Sequence, residues 1–192
     1  MAYNWILASG SPRRKELLKK VLKEFSIEVS ECEEVYSSTL PQDIVKELAI
    51  LKGREVALKH GNGDIIISAD TVVSIDDRIL GKPKSFEEAF NMLSSLSGRK
   101  HTVYTGVCVI AKSDDKEVLD AFSIATDIYV DELSKEEIVT YINEEKPYDK
   151  AGSYAIQESF SKHISGINGD YDNVVGFPTN AFYSLIKEKG YI

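Results

Sequence analysis

The sequence predicts a single α/β unit, and three observations carry that expectation. Residues 65–75 (IIISADTVVSI) form a β-branched run that is apolar on both faces, the mark of a central strand. Residues 101–111 and 118–130 read as two more long strands, joined by the polar turn KSDDK at 112–116. Around these strands lie stretches whose apolar residues recur at helical spacing, so helices flank the sheet. At 192 residues the chain can bury a substantial core as one domain or as two lobes sharing a sheet.

The first strand is expected at 4–8 and leads into the turn SGSP at 9–12. Gly10 gives that turn backbone freedom, Ser11 is the expected N-cap, and Pro12 fits the first helical position. A helix follows from 15 onward, with Leu17, Leu18, Val21 and Leu22 as its apolar stripe. A helix start favours anions, so Arg13 and Arg14 there run against local electrostatics. The conflict points to a bound anion, with a phosphate chain fitting best; a solvated basic start paired with nearby acids is the plainer alternative.

Residues 26–31 read as a short strand ending in the acidic cluster Glu31, Glu33 and Glu34. A helix then runs from 41 to about 60 with Val45, Leu48, Ala49 and Val56 as its stripe, and Lys52 falls inside that stripe. A cation on a packed face must snorkel, pair with a carboxylate, or point into a cleft at a ligand. Asp70 interrupts the strand at 65–75, on the face of Ile66, Ser68 and Val72, while Thr71 points the other way. A buried carboxylate needs a metal, a cation or a functional cleft.

Residues 78–80 return as a hairpin, and Pro83 holds Lys82 extended at its end. Ser85 caps a helix to 96, and Ser134 opens another with Glu137 in capping-box position. Residues 147–157 (PYDKAGSYAIQ) show neither period and read as a loop, a common place for function. Residues 160–167 return to strand, 169–176 form a polar connection, and 178–187 form the closing helix.

The net charge of −8 argues against a general binder of nucleic-acid polymers or anionic membranes. Cys32 and Cys108 are too few for a disulfide framework or a zinc site and read as reduced thiols. No signal peptide or apolar run of membrane-spanning length is seen, so a cytoplasmic location is expected. The histidines lack zinc spacing, and GxSxG, GxxxxGK[ST] and GxGxxG are all absent. What remains is four cations (Arg13, Arg14, Lys52, Lys82) with the acids Glu34 and Asp70, a set suited to phosphoryl chemistry. In such a set carboxylates hold Mg²⁺ or Mn²⁺ while cations neutralise the phosphate chain.

The motifs ASGSPRR (8–14), EE (33–34), LAILK (48–52), SADT (68–71), GKP (81–83), LSG (96–98) and DKAG (149–152), in that order, resemble the Maf family over nearly the whole chain. The resemblance implies one two-lobed unit spanning 1–192, with a long twisted mixed sheet flanked by helices and an active cleft between the lobes, similar in fold to inosine-triphosphate pyrophosphatases. It implies metal-dependent hydrolysis of a nucleoside triphosphate to the monophosphate and pyrophosphate, as house-cleaning of the nucleotide pool, by a homodimer. Asp70 is expected to activate water and to share the metal with Glu34. Ser9, Arg13, Arg14, Lys52 and Lys82 are expected to grip the triphosphate, and Thr71 and Gln157 to read the base. Arg13, Thr71 and Gln157 look like the dTTP/UTP branch, although Ala155 and Glu158 depart from the glycines common in that loop, and Glu158 adds a negative charge near the base. Two alternatives stand beside this reading: a nucleotide-binding regulator of septum formation, and a purine-type enzyme acting on 7-methyl-GTP or inosine triphosphate.

Overall fold

Strong alternation along one strand sorts the helices into two layers. The computed structural model describes residues 3–113 and 116–192; the tip of the expected turn, 114–115, lies outside the described residues, as do residues 1–2. In chain order the elements are β1 (Asn4–Leu7), α1 (Pro12–Lys19), β2 (Ser26–Ile27), α2 (Pro41–Ala57), β3 (Asp64–Ile75), β4 (Arg78–Leu80), α3 (Phe86–Leu96), β5 (Lys100–Ser113), β6 (Lys116–Val130), α4 (Lys135–Glu145), β7 (Ile164–Asn168), α5 (Tyr171–Val175) and α6 (Thr179–Glu188). Two short 3-10 turns, Ala151–Ser153 and Ser159–His163, stand between α4 and β7.

The strands form one mixed sheet of seven in the order β2-β1-β3-β5-β6-β7, with β4 also paired to β3. β1 runs parallel to β2 and β3, and every other pairing is antiparallel. Ile66 and its neighbours on one face pack with Ile6, Ala8, Ala49, Val56, Cys108 and Ile110 under α2. Ile65, Ile67, Ala69 and Val73 on the other face join the larger core beneath α1, α3, α4 and α6. The period of two in β3 thus gives each layer its own apolar surface. Burial pushes the Cys108 thiol up to about 12, which keeps it unreactive in that core.

Most boundaries follow the sequence signals. Ser11 caps α1 by accepting from Arg14 N at 3.4 Å with Pro12 in the first turn. Ser134 and Glu137 form the reciprocal capping box at α4. Four expectations need correction. α1 ends at Lys19, so Val21 and Leu22 of its expected stripe lie past the helix, although both still pack into the core. The strand at 26–31 shrinks to Ser26–Ile27, because the amides of Glu31 and Cys32 donate to the Glu55 carboxylate instead of to a strand. The strand at 160–167 begins only at Ile164; its first part coils as a 3-10 turn that buries Phe160 against Tyr141 and Tyr154. The connection at 169–176 contains α5, started by Asp170 accepting from Asp172 N at 2.8 Å.

α2 lies close on the sheet because of Gly106, the β5 partner of Asp70. A Cβ on Gly106 would stand 2.3 Å from the Val45 carbonyl oxygen, a contact with helix backbone that no rotamer change relieves. Gly106→Ala is therefore expected to destabilise the fold by about 1–3 kcal/mol, as overpacking commonly does. Thermal denaturation should show a drop of at least about 2–4 °C. Gly61→Ala, where a Cβ would meet nothing within 4 Å, should leave the melting temperature unchanged.

Candidate active site

β3 is paired along one edge to β1 and β4, but not continuously. β1 ends at the Leu7–Ile67 pair and β4 begins at the Val73–Leu80 pair, so 68–72 has no strand beside it on that edge. Asp70 and Thr71 sit in this interval. A cleft of about 440 Å³ opens there, bordered by the turn after β1 on one side and by Lys82 after β4 on the other. The loop at 147–157 closes a third side. Gly152 donates its amide to the Gly81 carbonyl at 3.1 Å and lies against Val73 in a left-handed conformation (φ 68°). A side chain at Gly152 would add a Cβ 2.9 Å from Val73 Cγ2, so glycine is what lets the loop rest there.

On the α2 side, Lys52 Nζ stands 2.6 Å from Asp70 Oδ1 and 2.6 Å from Glu34 Oε1. Burial alone would lower the Lys52 pKa, but the two carboxylates outweigh it and hold the ammonium above its ordinary range. The hydrogen bond from Lys52 in turn holds the Glu34 carboxyl below the usual range, with Lys82 adding to the effect. Glu34 belongs to a segment without ladder bonds, and two further carboxylates of α2 fix it. Glu55 accepts from the amides of Glu31 and Cys32 at 2.9 and 3.0 Å, and from the Ser30 hydroxyl. Glu47 accepts from the amides of Ser37 and Ser38 at 2.9 and 3.2 Å. Those bonds, with the Ser38 hydroxyl foremost, lower the Glu47 pKa to about 2.

On the opposite face Arg14 donates from Nε to the Gly176 carbonyl at 3.0 Å, from Nη2 to Thr71 Oγ1 at 3.0 Å and from Nη1 to Ser9 Oγ at 3.4 Å. Much of its donor capacity is thus committed to the protein, so Arg14 braces the site as well as bordering it. Arg13 reaches the cleft mouth, 3.8 Å from Asp149 Oδ2. Apolar wall is supplied by Val73, Val103, Tyr154, Ile156, Val174 and Val175. The Tyr154 hydroxyl is backed by His101 Nε2 at 2.6 Å.

Ser9, Arg13, Arg14, Glu34, Lys52, Thr71, Lys82 and Gln157 line the cleft, and Asp70 stands directly behind Lys52. The period-two reading placed Asp70 and Thr71 on opposite faces, and they are: one meets α2, the other meets Arg14. Glu158 is not among the cleft-lining residues, but its carboxylate stands 3.4 Å from Lys150, a buried cation that is. Lys150 also meets Asp149 at 2.9 Å and borders the cleft. The motif DKAG marked that loop without giving Lys150 a role. Thr105, Glu47 and Glu55 carried no local signal.

The donor set fits a hard divalent cation. Glu34 and Asp70 converge on one point, where a positive charge already resides, and Mg²⁺ asks for one or two carboxylates plus water and phosphate oxygens. Among the described residues no cluster of three or more acidic, histidine or cysteine side chains builds a complete cage, so substrate oxygens would have to finish the shell.

The model of the family described as "Maf-like protein" matches residues 4–189. The chain belongs to the Maf family. A Maf relative from Lachnoclostridium phytofermentans, named dTTP/UTP pyrophosphatase, is 46% identical over 189 residues, covering 98% of this chain and 96% of its own. One from Bacillus cereus with the same name is 50% identical over 186 residues, covering 95% and 94%. Among solved structures, HAM1 proteins from Coxiella burnetii (TM-score 0.52) and Staphylococcus aureus (Ham1, TM-score 0.50) each share 14% identity, with 97% of this chain and 99% of theirs aligned. Those superpositions show a fold shared between the Maf chain and those proteins.

Burial depresses the His101 pKa to about 4, although Asp127 pulls the other way. The unfolded chain takes up this proton near pH 6.5, so between pH 6.5 and 4 it binds more protons than the folded one. Stability should therefore be fully present above pH 6.5 and fall as the pH is lowered to 4, by roughly 3 kcal/mol from this group. Urea midpoints across that window measure it. In His101→Gln the slope should be visibly shallower.

Proposed function

We propose that this Maf chain hydrolyses dTTP and UTP between the α and β phosphates, releasing the nucleoside monophosphate and pyrophosphate. The observation that carries the reading is the convergence of Arg13, Lys52, Lys82, Glu34 and Asp70 at one interval of the β3 edge. The names of the relatives supply the substrate class.

In this reading Arg13 and Lys82 hold the phosphate chain, helped by Ser9. Lys52 occupies Asp70 Oδ1, fixing the carboxylate so that its second oxygen can orient a water molecule. The water oxygen attacks the α-phosphorus, its proton passes to Asp70, and the bond to the bridging oxygen of the β-phosphate breaks. Pyrophosphate leaves with the added negative charge, which the cations stabilise in the transition state more than in the ground state. Glu34 and Asp70 would hold Mg²⁺ or Mn²⁺, whose chemistry there is neutralisation of phosphate oxygens. In this reading the uracil or thymine ring lies against Val73, Val103, Val174 and Val175, with Thr71 and Gln157 at its polar edge; all six residues line the cleft. A homodimer and a cytoplasmic location belong to the same proposal and rest on the family resemblance alone.

Incubation with dTTP and Mg²⁺, followed by chromatography, should yield dTMP and pyrophosphate. Asp70→Asn should lower kcat by about two orders of magnitude or more, as loss of an acid–base group does. Binding of dTTP without pyrophosphate release would favour a regulatory protein, and preference for 7-methyl-GTP or inosine triphosphate would favour the purine-type reading. Metal binding offers a separate test. Titration of Mn²⁺ by electron paramagnetic resonance should show weak binding to the protein alone, tightened at least about tenfold by a non-hydrolysable dTTP analogue that completes the shell.

A further inference from the structure

Thr71 borders the cleft beside its apolar wall, and three contacts fix which way its hydroxyl proton points. A hydroxyl has one proton to donate and two lone pairs to accept with. Arg14 Nη2 stands 3.0 Å from Thr71 Oγ1, and a guanidinium only donates. Thr105 Oγ1 stands 2.9 Å from Thr71 Oγ1 and 2.9 Å from the backbone carbonyl oxygen of Asn173. A carbonyl only accepts, so the single Thr105 proton goes to Asn173. Thr71 must then donate its own proton to Thr105. One lone pair of Thr71 takes the Arg14 hydrogen, and the other is what remains for the cleft.

The relay is held from behind. Thr105 and Asn173 are both fully buried, so water does not substitute for either partner. The Asn173 amide donates to the Val103 carbonyl at 3.1 Å and to Thr126 Oγ1 at 2.9 Å, which sets the position of its backbone. Thr71 and Thr105 face each other across the β3–β5 ladder, so sheet register itself enforces their contact.

We propose that Thr105, through this relay, makes Thr71 an acceptor only, and thereby selects bases that carry a ring imide N–H over cytosine. Uracil and thymine present N3–H, which an acceptor receives; cytosine presents a lone pair at N3, which meets another lone pair. Thr105 never touches the substrate in this account and is a positioning residue. The inference rests on the pyrophosphatase reading for its substrate, and it deepens that reading by naming what sets the base preference.

The test compares kcat/KM for UTP and CTP in the wild-type protein, Thr105→Val and Thr105→Ser. Valine keeps the shape but removes the acceptor for the Thr71 proton, freeing Thr71 to donate toward cytosine N3. The wild type should favour UTP, and Thr105→Val should cut the UTP-to-CTP ratio by about tenfold, the size of one neutral hydrogen bond. Thr105→Ser should restore it. An unchanged ratio in Thr105→Val, with both substrates slowed alike, would mean a structural role only and overturn the relay. Should Thr105→Val fail to fold, Thr105→Ala, which also removes the acceptor, decides in its place: a UTP-to-CTP ratio cut by about tenfold supports the relay, and an unchanged ratio overturns it. If no triphosphate is hydrolysed, the pyrophosphatase reading falls by itself. The ratio of UTP to CTP dissociation constants, measured by calorimetry on the same three proteins, then decides the relay in the same way.

Discussion

Burying the Lys52 ammonium against the middle of the sheet is the constraint on which the site depends. Removing a charge from water costs several kcal/mol unless partners replace the lost hydration. Only 15% of the Lys52 side chain stays exposed, and Asp70 and Glu34 meet it from two sides. That requirement fixes the rest. α2 must lie over β3 closely enough to reach Asp70, which Gly106 permits, and 28–40 must fold back to deliver Glu34. Glu47 and Glu55 hold that segment from the same helix. Lys52 and its clamps thus act as one unit, and the upward shift of Lys52 and downward shift of Glu34 both report charges stabilised by each other.

The second constraint is topological. A strand flanked on both edges has no room for a ligand, and a free edge invites pairing with another chain. β3 avoids both by sharing one edge between β1 and β4 and leaving 68–72 open between them. The period of two then separates the chemistry: Asp70 faces the charged side under α2, and Thr71 faces the apolar side near α5. In the proposed function, one short stretch of chain would therefore serve the phosphate end and the base end of a nucleotide.

Much of this was legible in the sequence because the signals were local conflicts. A lysine in an apolar helix stripe, an aspartate inside a β-branched strand and two arginines at a helix start each contradict their surroundings; the lysine and arginines line the cleft and the aspartate stands behind the lysine. The illegible parts are those whose partners are distant. Nothing near Thr105 announces Thr71 or Asn173, and nothing near Glu55 announces that it replaces a strand for Glu31 and Cys32. The misread strand at 26–31 and the unassigned Glu55 are one error seen twice, since the same amides cannot serve both. At 160–167 the apolar residues suggested a strand, but packing of Phe160 on Tyr141 and Tyr154 coils the chain first.

The two adjacent arginines are held differently. Arg14 is committed to Thr71, Ser9 and the Gly176 carbonyl, so its charge is fixed in place and its donors shape the site. Arg13, at the mouth, makes a long contact with Asp149. Carboxylates also hold the other buried cations: Glu34 and Asp70 hold Lys52, while Asp149 and Glu158 hold Lys150. A phosphate chain entering the cleft must share these cations with acids already bound to them. Like charges brought together in a poorly hydrated cleft repel strongly. In the proposed reaction a divalent cation arriving with the phosphates would relieve that repulsion, so nucleotide and metal would bind as one.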